Sequence, residues 1–153
     1  MKQLILTLAV IMSIAFVPHG ERTTDNPERT DNPELSERTA ADTLWAMAEA
    51  FAWVESKGNH MAYNEKEDAV GLLQIRPIMV REANRLLGEE AFTLADRWEP
   101  LESIDIFCTV MEHHNPKLDI DRAIDIWNPR CPAAYRNAVK AEYQEVLKIY
   151  KPC

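Results

Sequence analysis

What this chain of 153 residues lacks narrows it first. It has no surplus of basic residues, because 17 lysines and arginines face 25 aspartates and glutamates, a formal charge of −8. Nucleic acid, whose phosphates demand a basic face, is thereby excluded as a partner. There is no Cys-x-x-Cys pair, no glycine-rich phosphate loop and no Gly-x-Ser-x-Gly elbow, so the usual carriers of zinc, nucleotide and serine-nucleophile chemistry are missing. Ser56 has no histidine nearby to activate it. Glu112-His113-His114 has the residue types of a metal site, but adjacent histidines leave a helix on different faces and no His-x-x-x-His spacing exists. That triplet reads as a solvated helix end. The three cysteines are an odd set. In an oxidising compartment one pair can bridge, and Cys108–Cys131 is the preferred pairing because Cys153 is terminal. Beyond residue 39 no segment alternates apolar and polar residues with period two, so half-buried strands are not expected.

What is present is 46% hydrophobic and 27% charged, the make-up of an ordinary globular protein, at a length that allows one domain. The N-terminus departs from it. Met1-Lys2 precedes an apolar run from Leu4 to Val17, closed by Pro18, which fits a secretory signal over residues 1–20. The run is short for a membrane span, which takes about 20 residues. No cysteine follows it to carry a lipid. Both Ala15-Phe16-Val17 and Pro18-His19-Gly20 are poor cleavage sites, so the segment is either removed or kept as an anchor. Export to the periplasm or beyond is expected in both cases. Residues 21–38, ERTTDNPERTDNPELSER, repeat the unit Glu-Arg-Thr-Asp-Asn-Pro and hold one large apolar residue, Leu35. They bury no core and read as a polar tether. Removing residues 1–20 takes away Lys2 and no acid, so a folded domain at 39–153 has no general attraction to an anionic surface, and binding there requires a shaped cleft.

Helical spacing runs through that domain. The first helix is expected from about Thr39 to Ser56, with Leu44, Met47, Phe51 and Val54 inward and Gly58-Asn59 as its stop. His60 to Asp68 reads as a loop. Pro77 opens a second helix that ends before Gly88. Pro100 opens a third, with Leu101, Ile104, Phe107 or Cys108, and Met111 inward, closed by Asn115-Pro116. A short helix covers about Asp119 to Trp127, and a last one runs from Pro132 to Tyr150. Five helices joined by ordinary loops make a compact all-α domain.

Glu55 is the residue in this frame that calls for a reason. It falls four residues after Phe51 and eleven after Leu44, on the face that buries the first helix. Ionised carboxylates seldom occupy such a face unpaired, and no Lys or Arg stands one turn earlier. Either Glu55 turns outward at a frayed helix end, or apolar surroundings raise its pKa and keep it protonated as a general acid.

Glu55-Ser56-Lys57-Gly58-Asn59 is followed by Gly71-Leu72-Leu73-Gln74-Ile75-Arg76-Pro77, with Ala62, Asn64 and Ala69 between. These two motifs, in this order, resemble the soluble lytic transglycosylase family of the lysozyme-like superfamily, which includes goose-type lysozyme. The resemblance spans residues 44–150 and is densest over 55–77. It implies that Glu55 is the catalytic acid and that Ser56, Gly71, Leu73 and Gln74 form the glycan cleft. Gln74 can bond sugar hydroxyls and acetamido groups through both ends of its amide, and Gly71 can let the backbone approach substrate.

The family's third motif, Ala-Tyr-Asn-Ala-Gly, is met by Ile126-Trp127-Asn128-Pro129. Asn128 matches, while Trp127 replaces the cleft tyrosine. Trp127 is either a sugar-stacking wall or a core residue. Tyr135 is either a source of the missing hydroxyl or a buried helix tyrosine. One convincing carboxyl suffices for the reaction that the resemblance implies. Glu55 protonates the oxygen between N-acetylmuramic acid and N-acetylglucosamine, then takes the proton of the muramyl 6-hydroxyl as a 1,6-anhydro ring closes. No metal or cofactor is required. The partner is the glycan strand of peptidoglycan, met by a monomer; wall turnover and a secretion, conjugation or phage apparatus are equally open settings. Hydrolysis as in lysozyme needs a second carboxylate about 5 to 9.5 Å away. Asp68 is the candidate, although Glu65, Glu67 and Asp68 also read as a solvated acidic loop. A wall-binding or assembly factor that keeps the fold without catalysis is the third reading.

Overall fold

A computed structural model describes residues 33–149, with side-chain surroundings from residue 40 onward. The expected signal segment 1–20, tether residues 21–32, Tyr150 and Cys153 lie outside the described residues. Within them the chain folds into five α-helices and one two-stranded sheet. The helices are α1 (Pro33–Ser56), α2 (Pro77–Leu87), α3 (Pro100–His114), α4 (Ile120–Trp127) and α5 (Ala133–Ile149). The all-α fold expected from the spacing is thus the observed one. Among the described residues no helix is long and apolar enough to cross a membrane.

Several boundaries and side chains differ from expectation. Helix α1 begins at Pro33, so the last residues of the polar repeat, 33–38, are helical. Proline suits a first helical turn, where its missing N–H would have had no partner, and Asn32-Pro33 is the start signal that apolar spacing overlooked. Inside the expected loop 60–68, Tyr63–Asn64 (β1) pairs antiparallel with Ala69–Val70 (β2), Tyr63 opposite Val70 and Asn64 opposite Ala69. Strands of two residues are too short to display an alternation. A 3₁₀ turn at Ala95–Trp98 was also missed. Leu101, expected inward, is exposed, because the first turn of α3 lies beyond the core that Ile104, Phe107 and Met111 enter. Cys108 and Cys131 are free thiols, so the favoured bridge is absent. Both pack at the margin of the apolar core instead, and burial pushes the Cys108 thiol up to about 12. His114 of the Glu112-His113-His114 triplet lies 2.6 Å from Glu82 on α2.

The core is built where α1 meets α3, α4 and α5. Ala46, Met47, Ala50 and Phe51 of α1 are wholly buried, as are Phe107 and Met111 of α3 and Ile124 of α4. Alanines on α1 let α5 approach closely, and α1–α5 is the most extensive helix contact. Phe51, Phe107 and Trp127 form an aromatic knot, with ring centroids 5.3 Å apart for Phe51–Phe107 and 4.9 Å for Phe107–Trp127. Each such pair adds about 0.5–1.5 kcal/mol beyond the area it buries. The knot sits under the last turn of α1, from which Glu55 emerges.

Candidate active site

Glu55 leaves α1 one residue before the helix ends and reaches a small cavity of about 50 Å³. Glu67, Gln74, Arg76, Trp127 and Asn128 also line it. Loss of water around the Glu55 carboxyl raises its pKa above the ordinary value of 4.5. The Tyr135 hydroxyl and the Arg76 charge pull it down, and Glu67 pushes it further up. Desolvation wins. The carboxyl is half-buried at the cavity and is not turned out to solvent.

Tyr135, on the first turn of α5, donates its hydroxyl to Glu55 Oε1 across 80 residues of sequence. Burial raises the phenol's own pKa, and the neighbouring Glu55 raises it further, so the proton stays on the tyrosine oxygen. The hydroxyl that Trp127 cannot offer is thus present beside Glu55 from another element.

The loop that faces Glu55 is held by hydrogen bonds to its main chain as well as by the buried side chains of Val70, Leu73 and Ile75. Gly71 has φ +78°, and a Cβ there would stand 2.0 Å from the Arg97 carbonyl oxygen. The close approach that this glycine permits is therefore to the protein's own 3₁₀ turn and not to substrate. Arg97, only 6% exposed, donates from Nη1 to the carbonyls of Asp68 at 2.8 Å and Ile75 at 3.2 Å, clamping the residue before β2 to the residue that bridges Val70. Ser56 donates its hydroxyl to the Leu72 carbonyl at 2.7 Å, tying the end of α1 to the same loop, and it does not line the cavity. Leu73 is fully buried and cannot touch a sugar. It anchors the loop in the core. Gln74 takes the left-handed conformation at φ 48°. Its Nε2 donates to the carbonyls of Ala62 (3.2 Å) and Gly71 (3.1 Å). With the amide hydrogens committed to backbone, its carboxamide oxygen is the end left for a ligand.

On the opposite wall Trp127 is only 4% exposed and packs edge-on to Phe107, the core alternative of its two readings. Turning it out to stack on a sugar would forfeit about 1.5–3 kcal/mol of burial. Its carbonyl accepts a 2.9 Å hydrogen bond from Arg76 Nη2. Asn128 caps α4 and lines the cavity. Asp68, the expected second carboxylate, is not among the lining residues; its Oδ1 lies 3.5 Å from Arg97. Glu67, one residue earlier, faces the cavity in its place. Sequence reasoning missed Glu67, Arg76 and Arg97. Glu67 was hidden in an acidic run, and Arg76 stands inside the second motif without a role of its own. Arg97 carried no signal at all. A roomier groove of about 690 Å³ passes Trp53 and Val146, but it shares no lining residue with the Glu55 cavity.

An all-helical body that shields one carboxyl at a helix end, opposite a hydrogen-bonded loop, defines a lysozyme-like domain. The model of one such family, described as the transglycosylase SLT domain, matches residues 43–140, well over half of the chain. The chain belongs to that family, whose activity is of the lytic transglycosylase kind and whose substrate is peptidoglycan. No curated protein and no solved structure gives a match.

Proposed function

We propose that this protein is a lytic transglycosylase, exported to the wall, in which Glu55 acts first as acid and then as base on the bond between N-acetylmuramic acid and N-acetylglucosamine. The observation that carries this is a carboxyl pushed upward by desolvation with a tyrosine hydroxyl on one of its oxygens. A raised pKa favours the protonated form of Glu55, the form that can give its proton to the glycosidic oxygen. The carboxylate left behind is stabilised by Tyr135 and by the Arg76 charge while the sugar carries positive charge at its anomeric carbon. It then takes the proton of the muramyl 6-hydroxyl, and that oxygen closes the 1,6-anhydro ring. Proton transfer by a placed side chain contributes about 10²–10⁴-fold. Gln74 and Asn128 supply polar contacts to the sugars. No step needs water, a metal or a cofactor.

Mass analysis of products from purified sacculi tests the reaction: anhydro-muropeptides support it, and reducing ends overturn it in favour of hydrolysis. Glu55→Gln keeps shape and polarity but holds no transferable proton, so cleavage should be lost while wall binding survives. Wild-type rates in that variant would remove Glu55 from the role of acid. The same substitution carries a stability signature. A carboxyl whose pKa is raised on folding contributes fully below 4.5 and costs stability as pH rises through the folded value. Glu55→Gln should therefore melt higher than wild type at neutral pH, and the two should converge in acid.

A further inference from the structure

We infer that Arg76 binds a carboxylate of the glycan substrate beside the scissile bond and so decides which state of the strand the cleft accepts. This rests on the reading of Glu55 given above. Arg76 lines the same cavity as Glu55, Gln74 and Asn128. Its guanidinium is oriented by one hydrogen bond, from Nη2 to the Trp127 carbonyl, and the rest of its donor fork makes no hydrogen bond to a described residue. Among the described residues no carboxylate lies within ion-pair distance of it. Other half-buried or buried arginines here are differently served: Arg136 is paired with Asp121 and Asp125, and Arg97 is spent on main-chain carbonyls.

A cation that only latched α4 to the start of α2 would need no open face toward the cavity. A neutral amide or a lysine would reach one carbonyl as well. The planar fork suits a carboxylate, which it binds through two parallel hydrogen bonds. Glu55 does not fill that place: it feels the Arg76 charge but lies beyond ion-pair distance, and its Oε1 accepts from Tyr135. Glu67, on the same cavity, repels an anion from its own side and leaves the Arg76 edge as the place for one. Glycan strands offer carboxylates from two sources. The muramyl lactyl group is a free acid where the stem peptide has been removed, and the stem peptide carries its own acids where it is retained.

The test compares wild type, Arg76→Met and Arg76→Lys, each as the full chain, on intact sacculi, on amidase-stripped strands and on stripped strands whose carboxyls are reduced to alcohols. The ratio of wild-type to Arg76→Met kcat/KM should be about tenfold or more where the contacted acid is present, the weight of a charge-assisted hydrogen bond, and carried by KM. On carboxyl-reduced strands the KM difference should vanish, leaving only the loss in kcat that follows from removing the Arg76 charge near Glu55. A large ratio on stripped strands alone assigns the lactyl acid, and one on intact sacculi alone assigns the stem. Arg76→Lys keeps charge without the fork and should fall between. A ratio that is the same on all three substrates, or a loss confined to kcat, overturns the inference and leaves Arg76 acting on Glu55 and the Trp127 carbonyl alone. If wild type cleaves none of them, the transglycosylase reading has failed and this inference falls with it. If Arg76→Met does not fold, Arg76→Lys carries the comparison.

Discussion

Two walls meet at Glu55, and they are held by different means. Behind it, α1, α3 and α4 close on Phe51, Phe107 and Trp127, regular helices in ordinary conformation joined by apolar contact. In front, the segment 57–76 places Lys57, Asp68 and Gln74 at φ between 47° and 56°, with Gly58 and Gly71 at 77° and 78°. Non-glycine residues in that region each cost of order 1–3 kcal/mol and persist where surrounding contacts over-determine them. Here Arg97, Ser56 and Gln74 supply those contacts through main-chain carbonyls. The back wall is generic packing that tolerates adjustment. The front wall is a specific backbone shape with little slack, and the polar side chains that face Glu55 hang from it.

Paired substitutions should separate the walls most strongly. Phe107→Ala removes a fully buried ring and should cost about 3–5 kcal/mol, lowering Tm while the molecules that remain folded keep their kcat. Gly71→Ala sets a methyl against the Arg97 carbonyl at 2.0 Å, a main-chain group and not a flexible side chain, at a positive φ that alanine resists. Something must shift, and the Gly71 carbonyl that holds Gln74 shifts with it. Stability and kcat should both fall. Thermal melts and initial rates at matched folded fraction would break the comparison if Gly71→Ala retained full kcat, or if Phe107→Ala lost it.

The same division governs how far the sequence could be read. Apolar periodicity finds the helices because burial is what makes them: Pro77, Gly88 and Pro100 mark true boundaries. It places Leu101 wrongly because spacing alone does not say where the core stops. The motifs around Glu55 and Gln74 locate the site, yet they do not separate residues that face the cavity from residues that hold those in place. Leu73, Ser56 and Gly71 belong to the second group. Arg97 reaches the loop from an element distant in sequence, and no local pattern announces such a contact; Tyr135 was open between two roles until its hydroxyl was seen on Glu55. Trp127 was open between two roles because a buried and a sugar-facing indole look alike in one dimension.

A smaller effect tests the link between walls. Tyr135→Phe removes the hydroxyl from Glu55 and leaves the ring in place. Its hydrogen bond lowers the Glu55 pKa, so its loss should raise that pKa and move the alkaline limb of the pH–rate profile upward. The carboxylate formed after proton transfer loses a donor, so kcat should drop by up to about tenfold. An unchanged profile would mean that the contact is packing only.

The smallest effect has the opposite sign and the most to say about chemistry. Glu67 is the carboxylate that the front wall presents to the cavity, and its charge raises the Glu55 pKa. Glu67→Gln removes that charge, so the alkaline limb should move to lower pH. The shift should be small and should shrink with salt, because Glu67 is exposed and water screens it. In acid, where Glu55 is protonated in both proteins, the rates should nearly coincide. A hydrolase predicts otherwise. If a second carboxylate oriented water or formed a covalent intermediate, its loss would cut the rate at every pH, with Glu67 rather than Asp68 the acid concerned. A uniform collapse in Glu67→Gln, together with reducing ends among the products, would overturn single-acid catalysis. A displaced limb with an intact plateau leaves Glu67 as a residue that tunes Glu55 through space, and leaves the muramyl 6-hydroxyl as the nucleophile.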